Sequence, residues 1–475
     1  MQHLKKLPEL NANRALGVLC QRSLFRFFLE FWEVIEAKEL IPNWHIEEIC
    51  DELQRIYETW ERGESQPDFL LNVPPGSTKS TLVTQVFPAW IWTRDASVRI
   101  ISSSYAAELS TAHAVKSRDI LKSDKFQRCY PGLIKFKNDT DGKTHYKNSE
   151  MGERFTTSTN GSVTGMHGDF IINDDPINPE KAASLVELAT ASRFSSTTLS
   201  TRKTDRERTV TIMVMQRLDA QDPSAHWIKT KAGNINHWCL PGQLSDSVKP
   251  ERLKAKYSNG LMDERRLGPA ALDKLKRDLG SRGYACQIQQ LDAQQTGGIW
   301  QKWFVVIPDH EMPTPTMITG YGTDWDTAYT DKAENAASAF VTSGMYNNRM
   351  YIDNLGALQL EFPNLINEMK LHPAPHYIEA KASGKSAKQV LTVAKIVAIE
   401  VQVNADKEAR AKDATPKVEA QMVCVRASLV DFLYNDEQQG ILKFPKGPKA
   451  DVADTVAQAI IRHLGVAVVH RSRKY

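Results

Sequence analysis

The sequence predicts an α/β fold built as two sheet-centred domains, and three observations predict it. From Phe69 to about Asp222, short β-rich runs alternate with helical stretches, the cadence of a mostly parallel sheet. From Ile318 onward a second cadence follows, with three β-rich runs, a helical stretch, a fourth run and then further helices. Between the two, from about Leu244 to Ala293, β-rich runs disappear and charge rises, as in a helical connector. The length of 475 residues agrees, because roughly 100 to 200 residues per domain suggests two or three domains.

Taken in order, Ser23 to Ala37 is aromatic-rich with Arg26, Glu30 and Glu33 interleaved, which predicts an amphipathic helix packed on a neighbour. Strands are expected at Phe69–Val73, Val98–Ile101, Phe170–Ile172 and Thr209–Met215, with a helix over Ala106–Lys122. Gly297-Gly298 marks a plausible boundary. Beyond it, strands are expected at Ile318–Trp325, Ala339–Thr342, Arg349–Leu355 and Tyr377–Glu379, with a helix near Phe362–Leu371 before the fourth. That order is the order of an RNase H-like fold. The domains so drawn are 1–245, a helical connector or lid at 246–298, and 299–475.

Composition excludes several classes. The chain is 41% hydrophobic and 25% charged, which is globular composition, and 60 Lys+Arg against 57 Asp+Glu leave a near-neutral +3 that can hide local basic surfaces. Six cysteines, at 20, 50, 129, 239, 286 and 424, never form a CxxC pair, so no zinc cluster is expected and a reducing compartment suits them. No run approaches the ~18 apolar residues of a membrane helix, and the start lacks a signal peptide's apolar core. A soluble intracellular protein is expected.

Two motifs carry nucleotide chemistry. The apolar run Phe69–Val73 leads into Pro74-Pro75-Gly76-Ser77-Thr78-Lys79-Ser80-Thr81, with a helix expected near Ser80. A strand, a tight loop and a helix N-terminus surround phosphate oxygens with backbone N–H groups, while a Lys reaches the β/γ-phosphates and a Ser holds Mg²⁺. Pro75, Gly76, Ser77, Thr78, Lys79, Ser80 and Thr81 are therefore the ATP-binding candidates. The loop departs from G-x-x-x-x-G-K-[ST] at Val73 and Thr78, and a positive φ at Thr78 would be strained. About 95 residues on, Phe170-Ile171-Ile172-Asn173-Asp174-Asp175 is an apolar strand ending in paired acids. There Asp174 would join the Mg²⁺ shell and Asp175 would orient or deprotonate the attacking water. Together the two motifs predict a P-loop ATPase domain using ATP with Mg²⁺.

With these residues in place the sequence resembles the large terminase subunit of tailed bacteriophages, an ATP-driven motor and nuclease that packages double-stranded DNA into procapsids. The resemblance runs through Val73-Pro74-Pro75-Gly76 to Lys79-Ser80, Ser102-Ser103-Ser104-Tyr105 with Ser117-Arg118, and Gly161 to Asp169. It continues through Asn173-Asp174-Asp175-Pro176, Met215-Gln216-Arg217-Leu218, and Tyr284 to Gln290 leading to Gly297-Gly298. It implies that Gln216 lies near the γ-phosphate. A motor of this type also needs an arginine on the transferred phosphoryl group, for which Arg154 is favoured over Arg118 and Arg193.

Two-metal nuclease chemistry needs carboxylates that converge from separate elements. In an RNase H-like order, Asp324 and Asp326 end the first strand, Glu379 sits on the fourth, and Asp451 and Asp454 share one face of the last helix. Against the family pattern, Asp326 matches the first acid and Glu379 the second, with Asp324 in a supporting role. The third is assigned to Asp451, with Asp454 in reserve. Without His or Cys competitors, Mg²⁺ or Mn²⁺ is implied, as two ions. DNA contacts are expected from Lys381, Lys385, Lys388 and Lys395, then Lys443, Lys446 and Lys449, neutralising phosphates without reading bases. The basic stretch His470 to Tyr475 reads either as a docking segment or as a frayed terminus.

The resemblance implies further partners: double-stranded DNA, the portal protein of a procapsid, a small terminase subunit, and other copies of the chain in a ring on the portal, with a monomer alone in solution. The location implied is the host cytoplasm, with no membrane. Two other readings share the motifs. One is a helicase-like or recombination ATPase-nuclease without a procapsid, and the other a non-hydrolysing DNA-binding assembly factor.

Overall fold

The computed structural model describes residues 6–182, 184–291, 299–327, 337–380, 382–402, 406–445 and 447–465. They form two compact units, Met1–Lys274 with Arg282–Ala293, and Leu275–Ser281 with Gln294–Tyr475. Most of the stretch read as a connector, up to Lys274 and again from Arg282, thus clusters with the first unit, while Gly297-Gly298 lies outside the described residues.

The first unit opens with three helices, α1 (Lys6–Arg22), α2 (Leu24–Ile35) and α3 (Trp44–Glu61). The expected aromatic helix is α2. Ser23 caps it by accepting from Arg26 N, and Leu24, Phe27, Phe28, Phe31 and Ile35 form one buried stripe, as helical spacing requires. The sheet and its helices then follow in chain order: β1 (Asp68–Asn72), α4 (Phe87–Arg94), β2 (Arg99–Ser104), α5 (Ala107–Lys122), α6 (Asp124–Cys129), β3 (Phe136–Asp141), β4 (His145–Asn148) and β5 (Glu153–Ser158). After these come β6 (Phe170–Asp174), α7 (Leu185–Arg193), β7 (Val210–Met215), α8 (Pro223–Thr230) and β8 (Ile235–Cys239). The strand order is β3-β4-β5-β2-β6-β7-β1-β8, parallel from β5 to β8 and antiparallel at the β3-β4-β5 edge. Every residue of β6 and β7 is buried, which is why both read as continuous apolar runs without alternation. The helix α9 (Pro269–Gln287) is broken at Gly280, whose φ of 67° leaves helical geometry.

The second unit is built on β9 (Val305–Ile307), β10 (Thr319–Asp326), β11 (Ser338–Tyr346), β12 (Arg349–Leu358), α10 (Phe362–Met369), β13 (His376–Glu379), α11 (Ala382–Val393) and β14 (Ala398–Val401). It is completed by α12 (Lys407–Glu419), β15 (Val423–Arg426), α13 (Val430–Asn435) and α14 (Asp451–Leu464). Its sheet runs β14-β13-β10-β11-β12-β15-β9. The strands β10, β11 and β12 form an antiparallel meander, and β13 and β14 run parallel beside β10, which is the expected RNase H-like order with β15 and β9 added outside β12.

Alternation along β10 divides its side chains between two cores. Trp325 packs with Leu365, Ile366, Ile378 and Leu391 on the α10 and α11 side. On the other face Ala339, Val341 and Ile352 pack with Val456 and Ile460 of α14 and Ala411 and Ala414 of α12. Asp324 and Asp326 share that second face, because strand residues two apart point the same way.

Asp324 is fully buried, and Arg462 Nη2 meets its Oδ2 at 2.6 Å while Gln458 Nε2 donates to Oδ1 at 3.2 Å. Burial raises its pKa and Arg462 opposes that shift. Asp324 is therefore tied up by α14, and the supporting role expected of it at the acidic centre is replaced by an ion pair within the fold. Arg462→Ala should lower the stability of this unit by about 3–5 kcal/mol in urea unfolding, because a buried carboxylate loses its cation. An unchanged midpoint would contradict this, and replacing both partners by leucine should recover most of the loss.

Candidate nucleotide and metal centres

In the first unit three parallel strands end side by side. Asn72 of β1 pairs with Met215 of β7, and Val214 of β7 pairs with Asp174 of β6, so the loops that follow leave the same edge of the sheet. Ligands of open α/β sheets bind at that carboxyl edge. The loop after β1 delivers Lys79, the loop after β6 delivers Asp175, and Gln216 follows β7.

Lys79 Nζ donates to Gln216 Oε1 at 2.6 Å and lies 3.3 Å from Asp175 Oδ2. Ser80 Oγ donates to Asp174 Oδ1 at 3.0 Å, and Thr84 Oγ1 donates to Oδ2 at 2.7 Å. The structure thus brings Lys79, Ser80, Asp174, Asp175 and Gln216 together. Two hard oxygen donors, Ser80 Oγ and Asp174, side by side at the start of a helix fit Mg²⁺.

The loop itself follows the expected geometry. Gly76 has φ 76° with open space where a Cβ would stand, and Thr78 takes φ 67°, a strained conformation for a β-branched residue. Ser77 is buried and Thr81 opens a π-helical turn, Thr81–Val86, that continues into α4. Pro75 lies in the turn between β1 and that helix.

Two supports were not legible in the sequence. Ser77 O is 3.1 Å from His45 Nε2 on α3, a fully buried ring whose pKa burial lowers to about 4. His113 of α5 is also lowered to about 4, by burial first and then by Arg154. Its Nδ1 lies 2.8 Å from Gln85 Nε2, and its Nε2 stands 3.6 Å from Asp174 Oδ2. Asp175, turned at φ 44°, has its pKa pushed up to about 6 by burial, against the pull of Lys79.

Arg154 is elsewhere. It pairs with Ile100 near the beginning of β5, away from the carboxyl edge, and its buried guanidinium donates to Thr84 O at 2.9 Å and Ser102 Oγ at 3.1 Å. That position makes it a brace beneath the phosphate-loop helix, in place of the phosphate-facing arginine expected from sequence. Arg118 is engaged with Asp141 and the carbonyl of Gly142, whereas Arg193 is exposed at the end of α7.

The second unit gathers carboxylates where β10, β13 and α14 meet. Pairing of Trp325 with Ile378 sets Asp326 level with Glu379. Carboxylate oxygens of Asp326, Glu379 and Asp454, all three residues buried, lie within 4.8 Å of one another. An all-oxygen set this compact fits a Mg²⁺ or Mn²⁺ ion.

The structure brings Asp454, not Asp451, into this group. Asp451 opens α14, and Asp454 stands three residues on, turned toward β10 and buried. Asp451 stays at the rim, bonded to Lys407 Nζ at 3.0 Å and Gln439 Nε2 at 3.3 Å.

Two cations on α12 complete the centre. Arg410 Nη2 is 2.7 Å from Asp454 Oδ2 and 3.6 Å from Glu379 Oε1, and Lys407 Nζ is 3.0 Å from Asp326 Oδ2. In spite of them, burial pushes the Asp454 pKa up to about 6. In sequence Lys407 and Arg410 sit in KEARAKDATPK, indistinguishable from a solvated helical face. Of the lysines expected on DNA, Lys385, Lys395 and Lys443 are exposed, Lys388 lies 3.7 Å from Glu400, and Lys449 is half-buried. Lys381, Lys446 and the segment from His470 to Tyr475 lie outside the described residues.

Fold and sites together define a P-loop NTPase domain followed by an RNase H-like domain with an acidic centre. No family model matches the chain, and no curated protein does. The solved structures that align with the chain include large terminases. The large terminase of a thermophilic bacteriophage, in complex with ADP, aligns with 86% of this chain and 98% of its own at 12% identity and a TM-score of 0.47. A second crystal form of the same terminase aligns with 79% and 87% at 11% identity and a TM-score of 0.45. The large terminase of bacteriophage HK97 aligns with 93% and 99% at 11% identity and a TM-score of 0.38.

Buried titratable groups set a pH dependence. His45, His113 and His376 are lowered to about 4, and His237 and His463 to about 3, mainly by burial. Asp175 and Asp454 are raised to about 6. Below the ordinary histidine pKa of about 6.5, unfolding frees these histidines to bind protons and makes the two carboxylates release theirs. Asp51, Asp174 and Asp324 are raised by burial as well, so the raised carboxylates equal the histidines in number and oppose them, and the sign is fixed one group at a time. The stability of the wild type relative to His237→Gln should rise as pH goes from about 4 to 6.5, because unfolding lets His237 bind a proton. Denaturant midpoints of wild type and His237→Gln at pH 4.5, 5.5 and 6.5 check the sign; a difference that falls as pH rises would contradict it.

Proposed function

We propose that this chain is the large subunit of a terminase: an ATPase that drives double-stranded viral DNA into a procapsid, joined to a metal-dependent nuclease that cuts concatemeric DNA. The observation that carries the reading is the pair of chemically distinct centres, Lys79, Ser80, Asp174, Asp175 and Gln216 in one unit and Asp326, Glu379 and Asp454 in the other. The order of motifs between them supports it.

In the ATPase unit Lys79 binds the β/γ-phosphates and neutralises charge as the terminal phosphoryl group transfers to water. A Mg²⁺ ion, held by Ser80 and Asp174, would supply further neutralisation of phosphate charge. Asp175, with a pKa near 6, orients the water and takes its proton, a value suited to a base working near neutrality. ATP and water become ADP and phosphate. Gln216, bonded to Lys79 in this structure, reports the change in phosphate contacts to β7.

In the second unit, a divalent ion on Asp326, Glu379 and Asp454 would polarise the phosphodiester and its attacking water. Arg410 holds Asp454 and Glu379 in place. One water is consumed per bond cut, leaving a phosphomonoester and a hydroxyl end. The partners of this reading are duplex DNA, a portal-bearing procapsid, a small terminase subunit and other copies of the chain in a ring, in the host cytoplasm.

Lys79→Ala should lower ATP hydrolysis by about 10²-fold or more, as loss of one charge-stabilising group does, while plasmid cutting with Mn²⁺ persists. Asp326→Ala and Glu379→Ala should do the reverse. Cleavage that survives both acid substitutions would remove the nuclease assignment, and hydrolysis that survives Lys79→Ala would remove Lys79 from its role.

A further inference from the structure

The acidic centre of the second unit contains a cation of the chain's own at its mouth. Lys407 and Arg410 are three residues apart on α12, so both side chains reach the same side of the helix. Arg410 is buried behind the acids on Asp454 and Glu379. Lys407 is different, since a third of its side chain is exposed and its Nζ touches three carboxylates at once. It lies 3.0 Å from Asp326 Oδ2, 3.0 Å from Asp451 Oδ1 and 3.6 Å from Asp454 Oδ2.

A two-ion phosphodiesterase needs one carboxylate to bridge ions ~3.5–4 Å apart. Here the face shared by Asp326 and Asp451 is taken by an ammonium. Lysine suits that place as a compact point charge with three donors on a flexible stem, where the planar fork of arginine would bring the same charge to three converging acids with poorer geometry. The position also explains Asp451, whose contacts to Lys407 and Gln439 anchor the lysine at the rim.

We infer that Lys407 replaces the second metal ion: the centre binds one divalent ion on Asp326, Glu379 and Asp454, and the Lys407 ammonium, held by Asp451, supplies the other positive charge that faces the phosphodiester. This rests on the nuclease reading above. In the step itself the oxygen of water bonds to phosphorus and gives up a proton to solvent, one phosphorus–ester oxygen bond breaks, and the departing oxygen takes a proton from solvent. Lys407 keeps its protons and acts through charge alone.

The test counts Mn²⁺ on the full, nucleotide-free chain by calorimetric titration, with Glu379→Ala as the reference that empties the centre. The wild type should bind one equivalent that Glu379→Ala loses. Lys407→Gln should bind two, and should cut plasmid about 10²-fold more slowly at saturating Mn²⁺. Lys407→Arg should keep the count at one and retain part of the rate. Two equivalents lost from the wild type would overturn the inference without reference to any lysine variant, and so would unimpaired cutting by Lys407→Gln. If wild type and Glu379→Ala bind Mn²⁺ equally, the nuclease reading fails and the inference falls with it.

Discussion

The structure depends on one constraint: carboxylates placed out of water at the ends of strands must be matched by positive charge. Desolvation of an unpaired carboxylate is costly enough to unfold a small domain, and pairing or metal binding is the usual answer. Both units meet the constraint at a sheet's edge. Asp175 leans on Lys79, and Asp454 on Arg410 and Lys407. Their pKa values, both pushed up to about 6, show that burial still outweighs the cations.

The backbone arrangement that makes this possible differs between the units. In the first, β7 lies between β1 and β6, so the phosphate loop, Gln216 and the acid pair leave adjacent strands at one edge. Parallel strands deliver every following loop to the same end of the sheet, which concentrates the chemistry there. In the second, the lateral pairing of β10 with β13 supplies two acids and the packing of α14 across that face supplies the third. One and two turns further along α14, Gln458 and Arg462 engage Asp324, so the same strand face carries a structural ion pair and the acidic group two residues apart.

The legible parts were those in which local pattern and fold agree. The continuous apolar runs of β1, β6 and β7, the aromatic stripe of α2 and the meander β10-β11-β12 all follow from side-chain periodicity. The β3-β4 hairpin was not legible: β3 is a polar edge strand with no residue fully buried, and β4 buries only Tyr146 and Asn148, too little apolar pattern to read in KNDTDGKTHYKN. The short strands β14 and β15 were hidden for a related reason, with only four residues each to carry a pattern. Thr78 was legible as a strained position, because a side chain stands where the loop needs a positive φ.

The sequence by itself determined the motifs, their order and the acids on strands, because a strand end, a glycine in a tight turn and an acid beside an apolar run are local facts. Only the tertiary structure decided which charge faces which. The phase of α14 put Asp454 into the centre and left Asp451 at the rim. The path of β5 buried Arg154 beneath the phosphate-loop helix. The packing of α12 against α14 set Lys407 and Arg410 among the acids. The reason is physical: a charge's role is fixed by neighbours within a few ångströms, and those neighbours come from residues dozens of positions away in the chain.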